Sequence, residues 1–594
     1  MSEALLREPQ ARSSVRDASN SHQVPARWWL EPELALLLLF VLGAYFTRMT
    51  DLTIRGEESR RGLIAREMLE SGDWIVPTCQ GEPLFSRPPL QNWLIAALAI
   101  VRGDVDAVAL RLPSDVALLL TVLLIYGYSR TFLSKLGSLT AGLAYASMGQ
   151  VLELGRMGET DALFTFFICG SLIGWHLCFM RFGPCYRTWC LGYLFVALGM
   201  LTKGPQAPVY FAGVVGAYLL WTGQWRMAFS RAHAAGIGTF ALVFGAWQVP
   251  FMISLGTQGA GRMYVNDVGH RFMDATLFSF GEHMLAYPFE VFACMLPWSG
   301  LLVVWFVPGF HKLIRNARPY FIFLTLCLAV TFPTVWLPPG ARPRYFMPLY
   351  PCAAILAGLA VDRLWQTAAR TSWHVFWKTF VCACSIAMAG AGVSLLVVSL
   401  AHVDSWLAQS TTMAWAYAVS SVALAVAAWR SLRIDSQGAR RTAVLSIAGF
   451  LALSHCGVMI SALQNTSVDT AGQVAELKGK LPRDAKLVSF GQMHHLFVFF
   501  FHETIPVCSY PETSGEVAGD LDYFCVVPPQ LDRQPLPFAW EPIAEINCDR
   551  RIETPRRARI IIGHRTDHPA TAPLQQASGA APEKSPIRQS TSYR

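Results

Sequence analysis

The chain has 594 residues, of which 53% are hydrophobic and only 15% are charged, and its formal net charge is +8. Its mean hydropathy is +0.36, and apolar runs close to the roughly 20 residues that cross a bilayer recur along most of its length, which indicates an all-α polytopic membrane protein. Most of the positive charge lies in short loops between these runs, where it sets membrane topology, so the composition argues against nucleic acid as a partner.

The beginning of the chain is predicted to be a disordered cytoplasmic tail, residues 1–30. It is polar, and it carries several arginines ahead of the first apolar run. Positive charge before a first span favours a cytoplasmic N-terminus. The loop that follows this span, residues 51–106, is therefore expected on the outer face.

Residues 31–465 are predicted to form a transmembrane domain with about thirteen helices. The predicted spans lie near residues 33–49, 107–128, 136–152, 161–180, 188–202, 205–222, 234–255, 287–310, 319–337, 345–362, 375–400, 411–429 and 442–463. The apolar run 90–101 is too short to cross alone and is placed on the outer face as an interfacial or half-inserted helix. With this assignment, the loops richest in Lys and Arg all face the cytoplasm.

After the last predicted span, short or alternating apolar runs are separated by Pro, Gly and charged turns. Residues 466–565 are therefore predicted to form a small α/β domain on the outer face. Residues 566–594 are predicted to be a disordered tail. The domain contains Cys508, Cys525 and Cys548, whose odd number leaves any disulfide pairing open.

Ionisable residues at the outer ends of the spans are candidates for function, because a charge near the bilayer interior is costly. The candidates are Glu57, Glu58, Arg60, Arg61 and Arg87 in the first outer loop, Glu153, Arg156, Glu159 and Asp161 in the second, Lys203 in the LTKGP segment, Asp267, His270 and Arg271 in the third loop, and Arg342, Arg344 and Tyr345 in the fourth. Each also has a structural explanation: ion pairs on a helix surface, a helix cap at Asp161, or arginines that extend to lipid headgroups.

Segment 57–94 reads EESRRGLIAREMLESGDWIVPTCQGEPLFSRPPLQNWL. Its acidic pair, its SGDWIVP run and its RPPL run resemble the first outer loop of the ArnT-like branch of the C-type membrane glycosyltransferases, which is related to the dolichyl-phosphate-mannose protein mannosyltransferases. The segments 201–205 (LTKGP), 270–272 (HRF) and 342–345 (RPRY) match the same family pattern in order. The family usually has Asp at the position of Glu57, and Ser86 stands where some lipid A-modifying members carry Glu.

The resemblance implies an enzyme that transfers a sugar from a polyprenyl-phosphate donor to an envelope lipid or protein, with inversion at the anomeric carbon. It implies a bacterial inner membrane protein whose active site faces the periplasm and whose partners include membrane lipids. By the same resemblance, Glu57 and Asp161 are the expected catalytic carboxylates. The donor phosphate is expected to contact Arg60, Arg87, Lys203, Arg344 and Tyr345, and Glu58, His270 and Arg271 are expected to support the site or to contact the acceptor.

No metal-ligand motif stands out, although two carboxylates beside a phosphate could hold a divalent cation, so a cofactor is left open. Two other classes of protein also remain open. A transporter or flippase of a lipid-linked sugar could use the same basic cavity without chemistry, and a scaffold could present its C-terminal domain to a partner. Removal of Glu57 distinguishes the transporter from the transferase. It should spare transport if Glu57 only lines a path, but it should abolish sugar transfer.

Overall fold

The structure is a computed structural model that describes residues 27–269, 276–306, 310–365 and 372–566, apart from 404, 408, 520 and 550–557. The candidates His270 and Arg271, and most of both predicted tails, lie outside the described residues. The chain divides into two compact units. Unit 1 comprises Met1–Met49, Phe85–Gln91 and Arg111–Met459, and unit 2 comprises Thr50–Leu84, Asn92–Leu110 and Ile460–Arg594.

Unit 1 is built from helices. Its α-helices are Pro32–Val41, Lys135–Ser147, Gly149–Leu154, Thr160–Cys169, Trp175–Phe182, Tyr186–Lys203, Gln206–Trp221, Arg231–Gly269, Leu277–Cys294, Ser299–Leu302, Phe310–Leu313, Arg318–Trp336, Tyr350–Trp365, Ser372–Leu400, Thr411–Ser431 and Gln437–Leu453. Shorter 3-10 and π-helical turns connect or extend several of them, among them Arg315–Ala317 and Pro343–Leu349. Two further helices, Leu90–Arg102 and Ala107–Ser129, contribute residues to both units.

Eight helices among the described residues are long and apolar enough to cross a membrane. They are Ala107–Ser129, Thr160–Phe182, Arg231–Gly256, Arg315–Trp336, Pro343–Leu364, Ser372–Leu400, Thr411–Ser431 and Gln437–Lys480, and a ninth candidate is the pair Leu277–Cys294 and Ser299–Phe306, bent by 111°. The prediction of a multi-pass helical membrane protein is confirmed. The number thirteen is not, because several predicted spans form helices that are too short to meet the same length criterion, such as Lys135–Ser147 with 13 residues.

The helices of unit 1 pack closely where small residues face a neighbour. A Cβ atom at Gly358, on helix Tyr350–Trp365, would lie 2.4 Å from the carbonyl oxygen of Gly137 on helix Lys135–Ser147. That contact is with backbone, which cannot move aside as the end of a flexible side chain can. Small residues at such crossings let two membrane helices approach closely.

We expect Gly358→Ala to lower the stability of the protein by about 1–3 kcal/mol, because the added methyl group overpacks this helix contact. The measurement is thermal unfolding of the purified full-length protein in detergent. Gly390→Ala on helix Ser372–Leu400 is the matched control, since its Cβ would meet no atom within 4 Å. Equal unfolding midpoints for the two variants would contradict the predicted close contact.

Unit 2 contains a short hairpin and a five-stranded mixed sheet. The strands are β1 (Thr78–Cys79), β2 (Glu82–Pro83), β3 (Leu487–Phe490), β4 (Val507–Cys508), β5 (Tyr523–Val526), β6 (Trp540–Asn547) and β7 (Arg559–Arg565). The sheet order is β4-β3-β5-β7-β6. Strand β3 pairs in parallel with β4 and β5, whereas β7 pairs antiparallel with β5 and β6. All fourteen cysteines of the chain are free thiols, so the three in this region form no disulfide.

The α-helices of unit 2 include Glu58–Ser71, Ile460–Asn465, Thr470–Lys480, His495–Phe501 and Pro528–Arg533. Helix Glu58–Ser71 packs on helix His495–Phe501, and a Cβ atom at Gly62 would lie 2.6 Å from the ring of Phe499. Most of residues 51–106 and the segment after residue 460 thus share one compact unit, whereas Phe85–Gln91 belongs to unit 1. A separate α/β domain with the bounds 466–565 stays a prediction.

Candidate functional site

A cluster of buried and half-buried side chains in unit 1 contains five of the predicted site residues, four of them charged. The Lys203 Nζ lies 2.5 Å from Asp161 Oδ1, and both side chains are only 4% exposed. The Arg344 Nη1 lies 2.9 Å from Glu159 Oε2 and 3.9 Å from Asp161 Oδ2. Arg87 donates from Nη1 to the main-chain oxygen of Lys203 at 3.3 Å.

Helix ends position these side chains. Asp161 lies in the first turn of helix Thr160–Cys169, and Lys203 is the last residue of helix Tyr186–Lys203. An acid near a helix N-terminus and a base near a C-terminus are both favoured by the helix dipole. Gly204 follows with φ of +102°, a backbone conformation that favours glycine, and this explains the glycine of the LTKGP segment. Arg344 lies in the 3-10 turn Pro343–Leu349.

Aromatic rings enclose the Lys203 ammonium group. Its Nζ lies 5.6 Å from the ring centroid of Phe164 and 5.4 Å from that of Tyr345. Gln206 donates from Nε2 to the main-chain oxygen of Tyr345 at 3.5 Å. Cation–π contacts at this range are attractive and strengthen when the cation is removed from water.

The cluster carries more positive than negative charge. Arg87, Lys203 and Arg344 all act as nearby cations on Asp161, and Glu159 is the second carboxylate. Arg344 is 25% exposed on its side chain, so part of this charge is accessible. Partly exposed arginines beside a buried ion pair are suited to binding a phosphate, because arginine can hold phosphate oxygens in a bidentate way.

Unit 2 contains the other predicted carboxylates. Glu57 Oε2 lies 2.7 Å from Arg60 Nη1 and 3.8 Å from Arg61 Nη2, and its side chain is 29% exposed. Glu58 is buried and accepts a hydrogen bond from the Arg55 main-chain N–H at 3.2 Å. The ion pair between Glu57 and Arg60 is the structural alternative that the sequence left open, and it is present.

The SGDWIVP run has a structural explanation in unit 2. Gly72 ends helix Glu58–Ser71 in the left-handed conformation, with φ of +71°, as is common at helix C-termini. Asp73 Oδ1 then accepts hydrogen bonds from the main-chain N–H groups of Ile75 and Val76 at 2.8 and 3.1 Å. The oxygen of Trp74 accepts from the Trp93 indole at 2.8 Å. Gly72 and Asp73 therefore shape the loop.

Two histidines distant in sequence lie in the surroundings of Glu57 within unit 2. The Ser59 hydroxyl and His495 Nδ1 are 2.6 Å apart, and both residues are buried. The pKa of His494 is lowered to about 4, chiefly by burial; the negative charge of Asp549 opposes this shift, the positive charge of Arg60 adds to it, and that of Glu57 opposes it. Burial also lowers the pKa of His495 well below its usual value. Both imidazoles are therefore neutral at physiological pH.

We expect unit 2 to lose about 2 kcal/mol of stability through His494 as the pH falls from 6.5 to 5. The unfolded chain binds a proton at the ordinary histidine pKa of 6.5, whereas folded His494 stays neutral until about pH 4. The stabilising contribution is therefore complete above pH 6.5 and is lost as the pH falls. Hydrogen–deuterium exchange of residues 495–501, corrected for the intrinsic rate at each pH, measures it.

The matched variant for this test is His494→Asn. His494 is the N-cap of helix His495–Phe501, and its Nδ1 accepts from the Leu496 N–H at 3.2 Å. Asparagine supplies the same kind of acceptor without titrating. We expect this variant to lose only part of the pH dependence, because the pKa of His495 is also lowered by burial. An unchanged slope would show that His494 is not the group responsible.

The structure brings the residues with predicted roles into two groups. Asp161, Lys203, Arg344, Arg87 and Tyr345 form the cluster of unit 1. The other described residues of this set, Glu57, Glu58 and Arg60, lie together at the start of one helix of unit 2.

The sequence named Glu159 as a charged candidate of the second loop without giving it a role, and the structure pairs it with Arg344. The sequence did not single out the buried pair His494 and His495. No local signal marks these histidines, since Ser59 and His495 are 436 residues apart. Within the described part of the chain, no group of three or more His, Cys, Asp or Glu side chains is placed to hold a metal ion. The divalent cation stays a prediction.

Comparison with known proteins supports the resemblance noted from the motifs. Residues 86–248 match the family model of the dolichyl-phosphate-mannose-protein mannosyltransferases. The chain is 30% identical over 341 residues to an undecaprenyl phosphate-alpha-4-amino-4-deoxy-L-arabinose arabinosyl transferase of Pseudomonas aeruginosa, a match that covers 55% of this chain and 60% of the relative. A similarly named transferase of Proteus mirabilis is 27% identical over 341 residues, with 55% and 59% covered. The chain thus spans about 60% of the length of these relatives.

Among solved structures, ArnT from Cupriavidus metallidurans bound to undecaprenyl phosphate matches with a TM-score of 0.66. The match covers 91% of this chain and 98% of that one at 16% identity. The apo form of the same protein gives a TM-score of 0.64 at 17% identity. At this identity the likeness establishes the fold. The chain therefore resembles these transferases in motif and in sequence, and it shares the fold of the solved ArnT.

Proposed function

We propose that the chain is an integral-membrane glycosyltransferase that moves a sugar from a polyprenyl-phosphate donor to an envelope lipid or protein acceptor. The observation that carries this proposal is the cluster of Asp161, Lys203, Arg344 and Arg87, in which the cations outnumber the carboxylates. Such a cluster suits a lipid-linked phosphate, whose charge must be neutralised before it can leave. The names of the two relatives describe transfer from undecaprenyl phosphate-4-amino-4-deoxy-L-arabinose. A sugar on undecaprenyl phosphate is therefore the first donor class to test.

The proposed reaction is one displacement at the anomeric carbon. The bond between that carbon and the donor phosphate oxygen breaks, and its electron pair leaves with the phosphate. An acceptor oxygen bonds to the same carbon from the opposite face, so the configuration inverts, and a carboxylate takes the acceptor proton. Preorganised cations that stabilise the leaving charge commonly account for the largest part of such a rate enhancement.

The proposed roles follow from the contacts. Arg87, Lys203, Arg344 and Tyr345 receive the donor phosphate, and Asp161 holds the Lys203 ammonium in place through its buried ion pair. Glu57, which is partly exposed in unit 2, is the proposed base on the strength of the resemblance. Arg60 is a further phosphate ligand in this scheme, and the buried Glu58 supports the helix start that carries both.

We further propose a bacterial inner membrane location with the cluster on the periplasmic side. Basic residues concentrate in alternate predicted loops, which favours a cytoplasmic position for those loops. The proposed topology has thirteen spans, which include the shorter helices of unit 1. An α/β region on the outer face follows these spans.

The test is label transfer by the purified full-length protein in lipid. A radiolabelled undecaprenyl-phosphate 4-amino-4-deoxy-arabinose and, separately, a polyprenyl-phosphate hexose are incubated with an envelope extract. We expect label to appear in an extracted lipid or protein only when the protein is present. In parallel, proteoliposomes loaded with the labelled donor report movement between leaflets. Donor movement without any label on an acceptor would favour a flippase and contradict the proposal.

A further inference from the structure

A second charged region of unit 1 lies apart from the Asp161 cluster and is not used by the proposed reaction. It is a cavity of about 530 Å³ whose lining includes Trp221, Lys312, Arg315, Arg318, Ile322 and Leu326. Three of these side chains are cations within seven residues of sequence. A cavity of this size is within the range of small-molecule sites.

The cavity lies at the opposite end of two packed helices from the Asp161 cluster. Helices Gln206–Trp221 and Arg318–Trp336 pack together, and Gln206, at the start of the first, bonds to Tyr345, which follows the second. Trp221 ends the first helix, and it lines the cavity together with Arg318, which begins the second. The two helices are therefore antiparallel. The 16 residues of Gln206–Trp221 separate the two charged regions by about 24 Å along the axis.

Some basic residues of the loops predicted to face the cytoplasm have carboxylate partners. Arg130 pairs with Glu31 at 2.8 Å, and Arg440 pairs with Asp435 at 2.7 Å. Among the residues that the structure describes, Lys312, Arg315 and Arg318 make no ion pair with a carboxylate. All three side chains are exposed, and three like charges around one cavity favour an anionic ligand.

The wall below these cations is apolar. Arg318, Ile322 and Leu326 are spaced four residues apart on helix Arg318–Trp336, so they follow one face of it over about 12 Å. Trp221, which is 64% exposed, borders the same cavity, and tryptophan is enriched at the level of lipid headgroups. A cationic mouth that continues into an apolar groove along a membrane helix fits an amphiphile better than a soluble anion.

We propose that this cavity binds an anionic phospholipid from the leaflet on the side away from the Asp161 cluster. The phosphate of the headgroup contacts Arg315, Arg318 and Lys312, and the first part of an acyl chain follows Ile322 and Leu326. Arginine forks bind phosphate oxygens in a bidentate way, and basic pockets between membrane helices on the cytoplasmic side are typical sites for anionic headgroups. This site goes beyond the proposed transfer reaction and does not depend on it.

The test is lipid retention by the full-length protein, purified in mild detergent and observed by native mass spectrometry. The protein is titrated with phosphatidylglycerol or with phosphatidylcholine of the same acyl chains. We expect at least fivefold more protein with one bound phosphatidylglycerol than with one bound phosphatidylcholine. Equal retention of the two lipids would overturn the anionic assignment.

Variants locate the site. Arg315→Gln with Arg318→Gln is expected to lower phosphatidylglycerol retention at least fivefold, whereas Arg430→Gln with Arg433→Gln, two exposed arginines of another basic loop, is expected to leave it unchanged. Ile322→Trp keeps the cations but fills the apolar groove, and it is expected to lower retention as well. The proposed site would be overturned if phosphatidylglycerol retention were unchanged in both cavity variants, or if the control variant lowered it equally.

A final arm separates a lipid headgroup from free phosphate, which shares the same chemistry. Inorganic phosphate and glycerol phosphate are added at millimolar concentration to the wild-type protein with phosphatidylglycerol bound. We expect neither to displace the lipid, because neither occupies the apolar groove. Full displacement by inorganic phosphate would assign the cavity to a soluble anion and contradict the proposal.

Discussion

Lys203→Met is expected to lower the stability of unit 1 by about 3–5 kcal/mol and to reduce sugar transfer at least 100-fold. The stability loss follows because Asp161 would keep a buried negative charge without its closest partner, and removal of one member of a buried pair typically costs that much. The activity loss follows because one preorganised cation near a leaving group is typically worth about 10²–10³ in rate. Thermal unfolding and label transfer on the same preparation measure the two effects.

A double variant separates folding from function at this position. Asp161→Asn with Lys203→Met removes both charges, so we expect most of the lost stability to return. Transfer should remain low, because the cation proposed to contact the donor phosphate is still absent. If the double variant recovered both stability and transfer, Lys203 would be a structural partner of Asp161, and its proposed contact with the phosphate would be wrong.

Glu57→Gln is expected to reduce transfer by about 10²–10⁴-fold, the usual contribution of a general base. Its effect on stability should be under about 1 kcal/mol, because the ion pair with Arg60 is partly exposed and such pairs contribute little. Donor binding should be unaffected, since the glutamine is nearly the same shape and the cations of unit 1 are unchanged. Equilibrium binding of labelled donor and single-turnover transfer are the two measurements.

The matched control for Glu57→Gln is Glu82→Gln, an exposed glutamate on strand β2 of the same unit. This variant should transfer sugar at the wild-type rate. A Glu57→Gln protein that binds donor and transfers at the normal rate would remove Glu57 from the mechanism and leave it as an ion-pair partner of Arg60. If neither the wild type nor Glu57→Gln transferred sugar, and both moved the donor between leaflets, the flippase alternative would be favoured.

The amino-acid sequence was sufficient to predict the class of protein and much of its local structure. Long apolar runs predict membrane helices because an α-helix satisfies its own backbone hydrogen bonds, which depends only on local residues. The SGDWIVP and LTKGP segments were recognisable for a similar reason: Gly72, Asp73 and Gly204 are required by the backbone of their own turns. The number of membrane spans was harder to predict, because helices such as Lys135–Ser147 are shorter than a full membrane crossing.

Only the tertiary structure decided which charges meet. Asp161 and Lys203 are 42 residues apart, Glu159 and Arg344 are 185 apart, and Ser59 and His495 are 436 apart. No periodicity within a helix encodes such pairs, since they depend on which helix faces pack and at what depth. The same holds for the basic cavity, whose Trp221 and Arg318 come from the end of one helix and the start of another. The sequence by itself determined the helices and the charged residues that are candidates for a site, whereas helix packing decided which of these charged groups meet.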